Sequence, residues 1–299
     1  MRLGALVLPE SAGAEATARW RRMEQLGFAH GWTLDHLSWR TLRGKPWFDA
    51  MTTLATAAAA TSTLRLGTLV ASPNFRHPVL TASQAMALDH ASGGRFVLGI
   101  GAGAAGQDST VLGGAPLSAR HRADRFTEFV TLVDQALRER CCTFAGNWYS
   151  AHDVCLAPGC VQRPRLPFAL AASGARGMRL AAEFADTWVT IGDAGAPGGQ
   201  PESAAFATLR RQSERLDEIC AEAGRDPESL GRLVNLSRVT ENPYASPDRL
   251  ADLLGRCAGL GFTDVVLAWP RADGVFRGDE RAFERAVTAV RESTLRDAC

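Results

Sequence analysis

The sequence predicts an α/β fold, a closed (β/α)8 TIM barrel, and three observations carry that prediction. Short apolar runs alternate with longer segments of helical period, and the alternation occurs eight times. The length, 299 residues, suits one such barrel. A composition 46% hydrophobic and 22% charged supports a packed core over a disordered chain. An open, doubly wound sheet is the alternative that the same alternation allows.

The elements follow in order. Residues 3–8 form a first strand, and Ala16, Trp20 and Met23 then recur at helical spacing, with Gly27 closing that helix. Residues 28–34 form the second strand, before a helix marked by Phe48, Met51, Leu54, Ala55 and Ala58. Residues 64–70 are strand-like, and Val79, Ala82 and Met86 suit the third helix. Residues 96–100 make the fourth strand, and Phe126, Phe129, Val130, Val133 and Leu137 form a helical stripe. The second half repeats the pattern with strands at 168–172, 187–191, 233–239 and 263–268. Its helices lie at 178–184, on the face Leu216, Ile219, Cys220, Ala223, on Leu250, Leu253, Leu254, Cys257, and on Phe283, Ala286, Val287, Val290. Ser246-Pro247 reads as an N-cap with proline at the first helical position.

Residues 101–118, 141–166 and 193–201 are Gly/Pro-rich or aperiodic, so loop insertions are expected after strands 4 and 6. No linker interrupts the pattern, and one domain spanning 1–299 is expected.

Charge excludes some functions. There are 33 basic and 32 acidic residues, so a net charge of +1 gives no whole-molecule attraction to nucleic acid or to an anionic membrane. Lys45 is the only lysine, which leaves Schiff-base chemistry one candidate. The seven cysteines show no C-x-x-C spacing, and no apolar run approaches the roughly 18 residues of a membrane span. A reduced, cytoplasmic protein is expected, with Cys141 and Cys142 as free thiols at a helix end. His30, His90, His121 and His152 stand singly without H-E-x-x-H spacing, and no metal site is expected. A G-x-S-x-G nucleophile elbow is absent.

Candidate chemistry gathers where strands end. Asp35-His36 follows the second strand and places a carboxylate and an imidazole at the catalytic face; capping of a short helix is the bland reading. The run Gly99-Ile100-Gly101-Ala102-Gly103 lets backbone approach a ligand, or makes a flexible turn. Ala172-Ser173-Gly174-Ala175-Arg176 leaves the fifth strand and opens a helix, where free amides attract phosphate or small residues merely cap. Trp39 and Trp47 could line an apolar substrate pocket or simply pack.

Five stretches carry a resemblance: GFAHGWTLDH at 27–36, LRLGTLVASPNFRHP at 64–78, LDHASGGRFVLGIGAG at 88–103, ASGARGMRLAAEFADTW at 172–188 and LGFTDVVL at 260–267. In this order the chain resembles the bacterial-luciferase-like superfamily of flavin- and deazaflavin-dependent oxidoreductases. The resemblance implies a luciferase-like (β/α)8 barrel with a non-prolyl cis peptide at Leu69-Val70 supporting a cofactor ring, and Ser72 beside that ring. It implies Asp35 at the deazaflavin ring and His36 in proton handling or substrate polarisation. Gly101, Gly103 and Gln107 would flank the ring or its side chain, and Ser173, Gly174, Ala175, Arg176 and Gly192 would hold the phosphate. Ala104 stands where sugar-phosphate dehydrogenases of this type carry a glutamate, and their phosphate-directed lysine has no match. A sugar phosphate is therefore not the implied substrate.

The expected function is hydride transfer between coenzyme F420 and a small organic or natural-product substrate, such as reduction of an activated C=C or C=N bond. An FMN-dependent monooxygenase and a cofactor-free barrel acting as a binding subunit are the alternatives. The expected partner is a small-molecule or peptide natural-product substrate, and the expected assembly a homodimer.

Overall fold

The computed structural model describes residues 1–193 and 201–297. In chain order the strands are β1 (Arg2–Val7), β2 (His30–Thr33), β3 (Arg65–Thr68), β4 (Phe96–Gly101), β5 (Cys142–Ala145), β6 (Ser150–Val154), β7 (Phe168–Ala171), β8 (Thr187–Thr190), β9 (Gly231–Asn235) and β10 (Asp264–Ala268). The helices are α1 (Gly13–Gln25), α2 (Ala50–Ala60), α3 (Pro78–Ala91), α4 (Ala119–Arg138), α5 (Ala175–Phe184), α6 (Glu202–Glu222), α7 (Pro247–Ala258) and α8 (Glu280–Asp297). All strands but β5 and β6 run parallel and close on themselves in the order β1-β10-β9-β8-β7-β4-β3-β2. This is the predicted barrel, and closure removes the open-sheet alternative.

The strands read as nearly continuous apolar runs because both of their faces are buried. Side chains alternate. Leu6, Trp32, Val97, Ala169, Val189, Leu233 and Val266 fill the barrel interior. Their neighbours Ala5, Leu66, Leu98, Leu170, Trp188, Val234 and Val265 pack outward against the helices. The interior is tight: a Cβ on Gly67 would fall 2.3 Å from the Trp32 ring, so glycine there makes room for the indole of the adjacent strand.

The amino-terminal end of the barrel is closed by polar groups. His30 receives the Trp32 indole N–H on Nδ1 at 2.6 Å and faces Asp264 through Nε2 at 3.0 Å. A neutral imidazole with its proton on Nε2 satisfies both contacts, and burial accordingly pushes the His30 pKa down. Arg2 adds two bonds to Asp264, at 2.8 and 2.7 Å. This histidine serves structure at the end opposite the predicted site.

Several expectations are corrected. The seventh barrel strand is Gly231–Asn235, not 233–239, because the chain turns at once into a 3-10 helix, Leu236–Arg238. Leu236 and Val239 are buried by packing in that turn, which gave the run its strand-like apolarity. Phe48 lies outside α2 and is exposed, since Asp49 caps the helix by accepting from the Thr52 N–H at 2.9 Å. Ala55 is exposed as well, and the buried face is Met51, Leu54, Ala57 and Ala58. The aperiodic stretch 141–166 contains an antiparallel hairpin, β5–β6. Glu128 of α4 holds its turn through the N–H groups of Asn147, Trp148 and Tyr149. The hairpin sets Cys141 opposite Cys155, and they form a disulfide, so Cys141 is not a free thiol. Cys142, Cys160, Cys220 and Cys257 are free and buried. The insertion at 193–201 falls, from 194 to 200, outside the described residues. Among the described residues no helix is long and apolar enough to cross a membrane.

Candidate active site

Strands that are all parallel end on one rim, so Asp35, Ser72, Gly101, Ser173 and Gly192 share the carboxyl end of the barrel. The Leu69-Val70 peptide is cis, at the position the resemblance implies. Beyond it the chain stays zipped to β4: the Ala71 N–H donates to Gly99 at 2.7 Å, and the Gly101 N–H to Ala71 at 2.9 Å. Gly103 has φ +77, and a Cβ there would lie 2.5 Å from Ser72 Oγ and 2.7 Å from Asn74 Oδ1. Glycine is needed for both reasons.

His36 stands at the rim with its imidazole anchored. Its Nδ1 lies 2.6 Å from Oδ2 of Asp108, a buried residue that also accepts from the Leu37 and Ser38 N–H groups at 3.3 and 3.4 Å. A carboxylate oxygen accepts, so Nδ1 donates and Nε2 is left to take or give a proton. The sequence reading picked Gln107 and missed its neighbour. Gln107 is exposed and binds Ser38 Oγ at 2.9 Å. The overlooked signal was a carboxylate inside the Gly-rich loop that follows the fourth strand.

Trp39 stacks on the His36 ring at 6.2 Å and on Phe276 at 5.9 Å, and it meets Trp47 at 6.2 Å. The Trp47 indole N–H donates to the His36 carbonyl at 2.6 Å. The two predicted tryptophans thus form an aromatic wall beside His36. Phe276, at φ +59 in the segment after β10, completes it and was not singled out from sequence.

Asp35 is 1% exposed and held by Arg76, whose Nε donates to Oδ2 at 2.9 Å and Nη2 to Oδ1 at 2.6 Å. Arg76 also reaches Asp49 at 2.6 Å. Burial pushes the Asp35 carboxyl up, and the forked guanidinium works against that push. Burial likewise opposes the charge on Arg76, and Asp35 with Asp49 outweighs it. Asp35 therefore ties the end of β2 to the start of α2 through Arg76, a residue inside a matched stretch to which no role had been given.

The presumed phosphate cradle divides. Gly174 is the N-cap of α5 without a side-chain cap, it is exposed, and a Cβ there would meet nothing within 4 Å. Ser173 beside it is exposed, and Ala175 starts the helix. These first-turn N–H groups suit an anion. Arg176 instead forms an ion pair with Asp124 of α4. Gly192 has its N–H on Thr190 Oγ1 at 3.0 Å and its carbonyl on Gln212 at 3.1 Å. Its donor is occupied.

Comparison with known proteins bears on the family and the fold. The family model described as luciferase-like monooxygenase matches residues 1–242. The chain is 32% identical over 244 residues to 4-hydroxyprotoasukamycin monooxygenase of Streptomyces nodosus subsp. asukaensis, covering 79% of this chain and 61% of that protein. The same figures hold for F420-dependent hydroxymycolic acid dehydrogenase of Mycobacterium tuberculosis. The chain thus spans about three fifths of the length of these curated relatives. Among solved structures, an F420-dependent secondary alcohol dehydrogenase carrying an F420-acetone adduct superposes with a TM-score of 0.79 at 18% identity, covering 97% of this chain and 98% of that one. The F420-dependent tetrahydromethanopterin reductase of Methanopyrus kandleri gives 0.76 at 19%, covering 97% and 96%. At such identities the superpositions establish the fold alone. With the family model matched from residue 1 to residue 242, the chain belongs to the luciferase-like monooxygenase family.

Proposed function

We propose that the protein is a coenzyme F420-dependent oxidoreductase that moves a hydride between the deazaflavin and a small organic or natural-product substrate. That it is a luciferase-like oxidoreductase follows from its family. The observation that carries the finer reading is His36, an imidazole at the barrel mouth with Nδ1 held by Asp108 and its ring stacked on Trp39. Hydride transfer at a C–O, C–N or activated C=C bond leaves a proton to be moved at the neighbouring atom. An imidazole anchored through one nitrogen can do that with the other.

The residues fit the cofactor. A tricyclic ring with a phosphorylated side chain needs an apolar bed, close backbone and an anion site. Leu34, Leu69 and Val70 supply the first, Gly101 and Gly103 the second, and the uncapped start of α5 the third. When bound, the deazaflavin supplies the ring carbon that accepts or releases the hydride. The first turn of α5 would hold the phosphate, Ser72 would lie beside the ring, and Trp39, Trp47 and Phe276 would exclude water. His36 Nε2 exchanges the proton with the substrate. Exposed Ala104 brings no acid, and its carbonyl accepts from Asn74 at 3.0 Å, which argues against a sugar phosphate as the substrate.

An FMN-dependent monooxygenase is the second reading, favoured by the equal identity to 4-hydroxyprotoasukamycin monooxygenase. Titration of the purified protein with F420 and with FMN, followed by tryptophan fluorescence, separates the two. Micromolar binding of F420 alone supports the proposal, and binding of FMN alone transfers it to the second reading. Binding of neither overturns both and leaves a cofactor-free barrel serving as a binding subunit.

A further inference from the structure

Asn235 is the last residue of β9. Leu233 faces the barrel interior and Val234 the helices, so the alternation turns Asn235 inward at the carboxyl end. The residue is 3% exposed, yet its side-chain carbonyl Oδ1 has no hydrogen-bond partner. Buried polar atoms are nearly always paired, and an unpaired one lowers stability unless something else supplies the partner. The ends of the two adjoining strands do not supply it: Ala268 ends β10, and Thr190, which ends β8, gives its hydroxyl to Gln212 Oε1 at 2.7 Å. The nearby Ala268 N–H is already given to Ser237 Oγ at 2.7 Å.

The positions we expect around the cofactor follow β2, β3, β4, β7 and β8, which are consecutive in the barrel. The remaining strands, β9, β10 and β1, are also consecutive and close the ring. Phe276, one end of the aromatic wall, comes from the segment after β10 and lies on that same side.

The structure assigns Asn235 as a substrate-recognition residue whose Oδ1 accepts a hydrogen bond from an O–H or N–H of the substrate. This rests on the proposed function, which places the cofactor against the other five strands. The substrate class is thereby narrowed to alcohols, amines and amides with a donor near the reacting carbon. Ethers, esters and plain hydrocarbons leave the carbonyl unpaired. An apolar residue would reject such substrates far less than an orphaned carbonyl does.

The test uses 1-naphthol and 1-methoxynaphthalene, which share a ring system and differ in the O–H donor. Their affinities are measured for the wild-type protein loaded with whichever of F420 or FMN it binds, and for Asn235→Leu and Asn235→Ala. Wild type should prefer the naphthol by about tenfold. Asn235→Leu should bring the two probes to near-equal affinity, leave the cofactor Kd unchanged, and unfold at an equal or higher temperature. Equal binding of the two probes by wild type, or no binding of either, overturns the assignment. Weakened cofactor binding in both variants also overturns it, making a cofactor N–H the donor. A lowered unfolding temperature in both variants overturns it too and makes Asn235 structural. If neither cofactor binds, the functional reading fails, and the same comparison on the bare protein still decides the role of Asn235.

Discussion

His36 and Asp108 act as a pair, with 2.6 Å between Nδ1 and Oδ2. Replacing His36 by Ala should lower turnover by about 10²-fold or more while leaving cofactor affinity nearly unchanged, since general acid-base groups supply that much. Asp108→Asn keeps the shape but presents an amide to Nδ1, which favours the other tautomer. It should lower kcat at least about tenfold with KM little changed. Wild-type kcat in Asp108→Asn would show that the carboxylate only anchors the loop through Leu37 and Ser38. Half of this pair was legible in the sequence: His36 directly follows an apolar run that ends at the rim. Asp108 was not, because it lies in an aperiodic loop 72 residues away and only folding joins the two. Arg76 was hidden in the same sense. Its stretch was recognised, but a guanidinium forked over Asp35 is visible only in three dimensions.

The start of α5 offers its free N–H groups through Gly174, while Arg176 is already paired with Asp124. Gly174→Val places a branched side chain where the proposed phosphate would approach the backbone and should weaken F420 binding more than Arg176→Ala does. Calorimetric titration of both variants checks this, and equal affinities would move the phosphate elsewhere. A second element junction is pH-sensitive. Glu24 near the end of α1 accepts from the N–H groups of Ser62, Thr63 and Leu64 ahead of β3. Burial alone would raise its pKa, but the backbone bonds of Thr63, Leu64 and Ser62 outweigh it and hold the carboxyl at about 2, against an ordinary 4.5. A depressed pKa contributes stability that is full above pH 4.5 and fades as pH falls toward 2. Glu24→Gln should therefore unfold more easily than wild type at pH 7, with the difference shrinking in acid. A gap that stays constant with pH would contradict the assignment. At this scale the sequence read strand and helix cores well, because burial on both faces leaves long apolar runs. It failed at the β5–β6 hairpin, whose mixed polarity matches neither template, and so it missed the Cys141–Cys155 bridge.

Across the whole molecule, the closed parallel barrel separates two ends with different chemistry. The amino end holds the satisfied His30–Asp264–Arg2 group. The carboxyl end gathers His36, Asp108, the aromatic wall, the cis Leu69-Val70 peptide and the open start of α5. The eightfold alternation made this architecture legible, and strand ends named the rim residues. What the sequence could not supply was the side-chain pairing across loops that gives each rim residue its work. The central claim is that F420 occupies the carboxyl end. Hydrogen exchange read by mass spectrometry, with and without saturating F420, tests it most directly. Protection is expected in the rim loops, at residues 34–42, 69–76, 101–110 and 172–177, and not at the amino end around 61–64, 92–95 and 259–263. Protection confined to the amino end, or no change anywhere at saturation, would contradict it.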